Sequence, residues 1–237
     1  MDFVKTQWQA ADVPAFEAYL ASLGKPDKVV WTQKIINTQC MVLAIPTPTL
    51  RAMAKAIGRG NALSFLDLGV FSTHESTMIH GMVIAQLSDL ALMEKYLVEY
   101  ANHVDNWAAC DTLAFKVGKH EAEYLQMAQR FVQAENLFLR RIGLIILFKL
   151  VNEHYIDDIF AIVESLQNET EYYVNMAVAW LLCDCWIKQR DKTWTFVQSH
   201  ALPPFVVKKF VAKCQDSYRV SAADKAMLRT YLRSRAL

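Results

Sequence analysis

The sequence has few of the residues that make turns, with 7 glycines and 6 prolines among 237 residues. A β-sheet needs many tight turns, and these turns depend on glycine and proline. The shortage therefore favours an all-helical protein. The 5 cysteines are an odd number without a framework spacing. They indicate reduced, buried thiols rather than a disulfide scaffold.

Long apolar runs and targeting signals are also lacking. No apolar stretch reaches the roughly 20 residues that span a bilayer. The first residues, MDFVKTQWQAADVPAF, carry neither the basic start nor the apolar core of a signal peptide. Hydrophobic residues make up 54% of the chain and charged residues 21%, which excludes a disordered protein. We therefore expect a soluble cytoplasmic protein, and a monomeric one.

The common signatures of nucleotide-binding and hydrolytic enzymes are absent. The sequence contains no GxGxxG, no phosphate-binding GKS or GKT, no HExxH and no GxSxG. Cys183 and Cys185 are two apart in a helical pattern, where side chains point about 200° apart and cannot share a zinc ion. His74 and His80 lie six apart, which is not a helical metal spacing. The sequence thus predicts no metal site.

Helical periodicity, by contrast, extends from end to end. Helices are predicted, among others, over 106–117, 136–151 and 171–188. Trp107, Arg141 and Trp180 follow one another at 34 and 39 residues, spacings typical of two-helix repeats. We predict an all-α, HEAT-like helical repeat solenoid (an α-α superhelix), right-handed and with a concave face. It forms a single domain over residues 1–237. A compact, non-repetitive helical bundle is the alternative.

Charge is unevenly distributed, although the formal net charge is only +1. From Pro204 to Leu237, eight cations against two aspartates give +6, which leaves −5 for the rest of the chain. Such a segment is typical of a local surface for anions rather than of a uniformly basic protein. An ordinary solvated helix end is the alternative.

Three motifs combine polar or aromatic residues with apolar ones. In NWAACDTL, Trp107 and Asp111 are four apart and share a helix face, where they can hold a cationic ligand. A buried tryptophan with an aspartate at the rim is the simpler alternative. In ENLFLRRIGLIILFKL, Arg140 or Arg141 is expected to face a groove or an anion, unless a salt bridge neutralises it. In EYYVNMAVAWLLCDCW, core packing is the default for Trp180.

Together with AIPTPTLRAMAK, these motifs resemble the DNA alkylation-repair glycosylases built from HEAT-like repeats, the AlkD type. The resemblance covers about residues 30–220. In that family a Trp-x-x-x-Asp pair, an arginine in the following repeat and a tryptophan in the next form the lesion-facing cleft. The resemblance implies that Trp107, Asp111, Arg141 and Trp180 are the catalytic set and that they line one cleft.

Two positions depart from the family pattern. Family members often have aspartate directly after the tryptophan, where this sequence has Ala108. Counted from Thr47 and Pro48, the place of an aromatic residue that helps to wall the cleft is taken by Ile35. Some branches of the family look unable to excise bases, and these two changes place the chain near such a branch.

The resemblance implies a glycosylase that hydrolyses the N-glycosidic bond of cationic N3- or N7-alkylpurines in double-stranded DNA, without a metal or other cofactor. Asp111 stabilises the oxocarbenium-like sugar and orients water, Trp107 and Trp180 present π faces to the sugar, and Arg141 holds a phosphate. Further DNA contacts are expected from Arg51, Lys55, Arg140, Lys208, Lys209 and Lys213. A catalytically inactive HEAT-like DNA-binding protein and a protein-interaction scaffold are the alternatives.

Overall fold

The structure, a computed structural model, describes residues 1–235. Within this range the chain forms α-helices and one short 3-10 turn, Ala10–Asp12, and no β-strand. The all-helical prediction is therefore confirmed. In chain order, the helices are α1 (Val13–Leu23), α2 (Pro26–Ile36), α3 (Thr47–Arg59), α4 (Ala62–Leu66), α5 (His74–Ile84), α6 (Leu90–Ala101), α7 (Trp107–Asp111), α8 (Glu121–Phe131), α9 (Leu137–Leu147), α10 (Ile156–Ser165), α11 (Tyr172–Lys188), α12 (Arg190–Ser199), α13 (Pro204–Asp216) and α14 (Ala222–Ser234).

The chain packs as two compact units, Met1–Lys116 and the residues from Val117 onward. In the first unit, α3, α5 and α7 form one layer with α5 in the middle. Glu75 in the first turn of α5 accepts a hydrogen bond from the N–H of Ile45, just before α3. Asn106, the N-cap of α7, contacts His74 at the start of α5. The three helices therefore run parallel and start together, at what we call the first N-terminal edge.

Helix α5 is the centre of the first unit and is buried over its whole length. It packs against α4 and α6 as well as against its two neighbours in the layer. A Cβ at Gly81 would lie 2.5 Å from the Tyr100 hydroxyl oxygen and 2.8 Å from Leu113. Helices α5 and α6 thus approach each other at a point that has room for glycine alone.

The second unit repeats this arrangement with α9, α11 and α13, and α11 is in the middle. The ring of Phe138, near the start of α9, lies 5.8 Å from that of Tyr173, near the start of α11. The ring of Tyr172 lies 5.7 Å from that of Phe205, near the start of α13. These helices also run parallel, and their starts form the second N-terminal edge.

Partner helices cover the layer of the second unit. Helices α8, α12 and α14 pack against α9, α11 and α13 respectively. At Gly143 of α9, a Cβ would lie 3.0 Å from Phe131 and from Val132, so glycine again allows a close approach to α8 and its end. These packed helix pairs are those of a helical repeat solenoid. The single domain over 1–237 stays a prediction.

The predicted helix over 106–117 is wrong in its second half, because α7 ends at Asp111. The residues that follow are extended: Leu113 and Phe115 are buried, whereas Ala114 and Lys116 are exposed. This alternation is the period-two pattern of an extended segment with one face against the core. Among residues 1–235, none of the helices has the length and apolar character needed to cross a membrane.

Candidate functional site

A cleft of about 430 Å³ opens at the first N-terminal edge. Its walls come from the starts of α3, α5 and α7, from α2, and from the segment that connects α2 to α3. We call it the edge cleft. The polar, charged and aromatic residues of its lining include Lys28, Trp31, Thr47, Glu75, Trp107 and Asp111.

Trp107 and Asp111 stand at the two ends of α7, and both line the edge cleft. Their four-residue spacing places them on one side of this single helical turn, as expected from the sequence. A helix of five residues is not stable alone. It is fixed by Asn106, whose side-chain oxygen accepts hydrogen bonds from the N–H groups of Ala108 and Ala109 at 3.1 and 3.2 Å. Both Trp107 and Asp111 are half-buried, so a ligand in the cleft can reach them.

The cap residue Asn106 is held by two further contacts. Its amide nitrogen donates to Asp105 Oδ1 at 2.8 Å and lies 3.3 Å from His74 Nδ1. Because the amide nitrogen can only donate, the His74 Nδ1 accepts in this contact, which requires a neutral His74. Burial lowers the pKa of His74, although the nearby carboxylates of Glu75 and Asp105 oppose this. The direction of α7 is thus fixed by buried polar groups.

Two carboxylates hold the wall formed by residues 37–46. Asp105 accepts hydrogen bonds from the Thr38 hydroxyl at 2.6 Å and from the Gln39 N–H at 2.7 Å. Burial raises the pKa of Asp105, but its hydrogen bonds outweigh this effect, so the pKa lies below the ordinary value. Glu75, which is 1% exposed, accepts from the N–H groups of Leu43 and Ile45 at 2.9 and 3.3 Å.

Ala44 lies between the two N–H groups that Glu75 binds, and it lines the edge cleft. Its φ angle is +58°, in the left-handed region that disfavours residues with a Cβ. Strain of this kind persists only where the surroundings enforce it. The hydrogen bonds to Glu75 supply that enforcement, so the cleft wall has a fixed shape before any ligand binds.

Sequence reasoning missed one aromatic residue of the cleft. Ile35 had been assigned the place of the aromatic wall, but it is not among the lining residues. Trp31, one turn earlier on α2, lines the cleft and is 67% exposed. The i to i+4 relation between Trp31 and Ile35 puts both on the same side of α2, and Trp31 is the one of the two that lines the cleft. The cleft therefore has an aromatic wall.

The two adjacent arginines of α9 are bound to protein groups. Arg140 pairs with Glu169, with 2.7 Å between Nε and Oε2, and also donates to the carbonyls of Ala134 and Glu135 at 2.9 and 2.7 Å. Arg141 is 4% exposed and donates to the Tyr173 carbonyl of α11. Both arginines therefore contact protein acceptors, and a groove or anion facing either of them stays a prediction. The salt-bridge alternative holds for Arg140, with Glu169 as the partner.

Trp180 differs from the default expectation of core packing. Its side chain is 38% exposed on α11, and one part of its ring packs against Phe148 with 4.4 Å between centroids. A tryptophan supported on one side and exposed on the other can stack against a ligand. Trp180 thus remains available as a π surface.

The other basic candidates lie on α3 and α13. Arg51 and Lys55 are exposed and one turn apart on α3, on the side away from buried Leu50 and Met53. On α13 the cations vary in exposure: Lys208 is exposed, Lys209 and Lys213 are half-buried, and the Lys209 ammonium lies 5.6 Å from the Phe205 ring centroid. All the candidate residues therefore lie on α3, α7, α9, α11 and α13, the helices of the two layers.

Within the part of the chain that the structure describes, no three His, Cys, Asp or Glu side chains group as metal ligands. Cys183 faces Cys214 of α13, whereas Cys185 is buried elsewhere on α11. The two members of the C-x-C motif thus point apart.

The family comparison agrees with the motifs. A model of the DNA alkylation repair enzyme family matches residues 16–212. The chain belongs to the DNA alkylation repair enzyme family. The matched span includes the edge cleft and every candidate residue except Lys213. Family membership makes the protein a DNA alkylation repair enzyme in general terms and implies DNA as its substrate. No curated protein matches the chain significantly.

Proposed function

We propose that the protein is a DNA glycosylase that releases cationic N3- or N7-alkylpurines from duplex DNA. The observation that carries this proposal is the edge cleft, which brings Asp111, Trp107 and Trp31 together in one lining. A carboxylate that lines a cleft together with two aromatic side chains suits a cation, because the rings attract positive charge and the carboxylate stabilises it. The family adds the substrate class, alkylated DNA.

The reaction makes small demands on the protein. An alkylated purine carries a positive charge, and when the bond from its nitrogen to the sugar C1′ breaks, the electron pair neutralises the base. The cationic sugar that remains is the species to stabilise. In our proposal Asp111 faces this cation and orients a water molecule, whose oxygen bonds to C1′ while its proton passes to the carboxylate or to solvent. Trp107 and Trp31 exclude bulk water and present their π faces.

The residues of the second unit take supporting parts in the proposal. The exposed ring of Trp180 supports a stacking role beside the sugar or base. Arg141 and Arg140 contact phosphate only by exchanging the Tyr173 carbonyl and the Glu169 carboxylate for phosphate oxygens. Arg51, Lys55, Lys208, Lys209 and Lys213 hold the DNA backbone. That Trp107, Asp111, Arg141 and Trp180 line one cleft stays a prediction.

The direct test is release of 7-methylguanine or 3-methyladenine from methylated duplex DNA. We expect Asp111→Asn to lower the single-turnover rate at least about 100-fold, because it removes the charge that stabilises the transition state. Asp158→Asn, an exposed aspartate of α10, is the matched control and should retain the wild-type rate. Wild-type release no faster than spontaneous loss, or an undiminished Asp111→Asn rate, contradicts the proposal.

Binding experiments separate the glycosylase from the two alternatives. Phosphate contacts release counterions, so duplex affinity should fall steeply as salt rises. Lys208→Ala with Lys209→Ala should weaken binding to damaged and intact duplexes equally, whereas Arg141→Ala should matter most for damaged DNA. Gel shifts at two salt concentrations measure both effects.

One observation favours the alternative of an inactive DNA-binding protein, namely that protein acceptors occupy Arg140 and Arg141. Duplex binding without base release supports this alternative. No duplex binding at low salt supports the interaction scaffold instead.

A further inference from the structure

Four aromatic rings follow one another across the second N-terminal edge, from α9 through α11 to α13. The order is Phe138, Tyr173, Tyr172, Phe205, and successive ring centroids are 5.8, 5.5 and 5.7 Å apart. We call these four residues the aromatic row. The contacts are tilted or edge-to-face, which is a favourable geometry for aromatic pairs. The row therefore forms one supported surface rather than four independent side chains.

Exposure is highest at Tyr172, the third ring of the row. Phe138 is buried, Tyr173 and Phe205 are half-buried, and Tyr172 is 54% exposed. Packing in the second unit accounts for Phe138 and for the covered parts of Tyr173 and Phe205. It does not account for Tyr172, whose ring contacts those of Tyr173 and Phe205 while more than half of its surface faces solvent.

Positive charge lies at the Phe205 end of the row, next to Tyr172. The Lys209 ammonium lies 5.6 Å from the Phe205 ring centroid, and the neighbouring Lys208 is exposed. Two carboxylates are close in sequence: Glu169 is paired with Arg140, and Glu171 directly precedes Tyr172 and is exposed. With two lysines against one exposed glutamate, this end of the row carries a net positive charge.

We propose that the aromatic row binds an unstacked nucleotide of DNA, whose base stacks on Tyr172 and whose phosphate contacts Lys208 and Lys209. Proteins that bind single strands combine aromatic platforms with cations in this way, and each stacked base contributes about 1–3 kcal/mol. Within an intact duplex the bases stack on one another. An unstacked base is therefore available to the row only at a gap, at a strand end or where a nucleotide is displaced. The inference rests on the proposed DNA function for its choice of partner, but it does not require base release.

The test measures binding of the full-length protein to an undamaged single strand. The probe is a fluorescein-labelled oligo-dT of about ten nucleotides, compared with a blunt duplex by fluorescence anisotropy. We expect Tyr172→Ala to weaken oligo-dT binding about 5- to 150-fold, which corresponds to the loss of one stacked base. Duplex affinity should change less than about twofold.

Two variants serve as controls. Tyr172→Phe keeps the ring and should bind oligo-dT as the wild type does. Tyr218→Ala removes a tyrosine that is 95% exposed between α13 and α14, outside the row, and should also bind normally. An unchanged urea midpoint for Tyr172→Ala shows that the variant is folded.

The outcomes are distinct from those that test base release. Wild-type oligo-dT binding that Tyr172→Ala leaves unchanged, or no oligo-dT binding at all, overturns the inference. An equal loss for oligo-dT and duplex also overturns it, because the tyrosine then contacts backbone and not a base. If base release is absent while binding depends on Tyr172, the glycosylase proposal fails and the aromatic row stands.

Discussion

The two N-terminal edges have the same helix arrangement but use their polar groups in opposite ways. At the first edge, the carboxylates of buried Glu75 and of Asp105 bind backbone N–H groups, whereas half-buried Asp111 lines the edge cleft. At the second edge, Arg140 and Arg141 bind protein acceptors, and the aromatic ring of Tyr172 is exposed. Residue type alone therefore does not separate a functional charge from a structural one. Burial and the number of satisfied hydrogen bonds do.

The largest expected effect concerns the second edge. Glu169→Gln removes the charged partner of Arg140 in an ion pair whose side chains are 15% and 7% exposed. Because a largely buried charge loses its compensation, we expect the free energy of unfolding in urea to fall by about 3 kcal/mol. Asp157→Asn breaks the exposed pair with Lys192 and should cost less than about 1 kcal/mol.

The same variant also tests the comparison between the edges. If the ion pair is what keeps Arg140 from acting as a DNA contact, Glu169→Gln should bind duplex DNA more tightly than the wild type at low salt. Lower stability without tighter binding would mean that Arg140 is structural in every state. A free energy of unfolding equal to that of the wild type would contradict the difference between the two edges.

An intermediate effect is expected at acid pH. Among the described residues, the buried histidines His74 and His80 both belong to the first unit, whereas His120, His154 and His200 of the second are at least partly exposed. Burial lowers the pKa of His80 from 6.5 to about 4. The unfolded chain therefore binds a proton at His80 near pH 6.5, whereas the folded chain binds it only near pH 4. Stability is lost as pH falls through this window, and about 2 kcal/mol of it is lost by pH 5.

Hydrogen exchange at pH 7 and pH 5 locates this loss. At the lower pH, the amides of the first unit should lose more protection against exchange than those of the second unit. His80→Leu should remove much of the pH dependence of unfolding, whereas His154→Gln, at an exposed position, should leave it unchanged. Equal loss of protection in both units would show that the two buried histidines do not set acid stability.

The smallest effect tests the strain of the first edge. Among the described residues, the non-glycine residues with positive φ, Asn37 and Ala44, both lie in the first unit. Ala44→Gly removes the penalty of a left-handed backbone, which should stabilise the folded chain by about 1–2 kcal/mol. The greater entropy of glycine in the unfolded chain opposes this by about 0.5–1 kcal/mol. We expect a net gain of about 0.5 kcal/mol in urea unfolding. Ala52→Gly, at an exposed site of α3, should lose about 1 kcal/mol. A loss in both variants would mean that Ala44 is not strained.

Much of the fold could be predicted from the sequence, because few glycines and prolines and a continuous helical period leave little room for a sheet. The pairing of Trp107 with Asp111 was also readable, since four residues on a helix define one face. The extended segment at Leu113 was readable in principle from its alternation. It was overlooked because only two alternations occur before the next loop.

Other features of the site have no signature in the sequence. Arg141 is bound by the carbonyl of Tyr173, and every residue carries a backbone carbonyl, so no pattern identifies this partner. Trp31 lines the cleft because of where α2 lies in the fold. A count of residues from Thr47 does not give that position. Glu75 looks like any surface glutamate until the connecting segment is seen to wrap around it.

The parallel direction of α9, α11 and α13 places positive partial charge at the second N-terminal edge, and a count of charged residues does not include it. The peptide dipoles of a helix sum to about half a positive elementary charge at its N-terminus. Three such ends at one edge amount to about 1.5 positive partial charges, balanced by equal negative partial charges at the far ends of the helices. The electrostatic attraction that this edge exerts on a polyanion is therefore larger than the isoelectric point implies, and it persists at any pH at which the helices are folded.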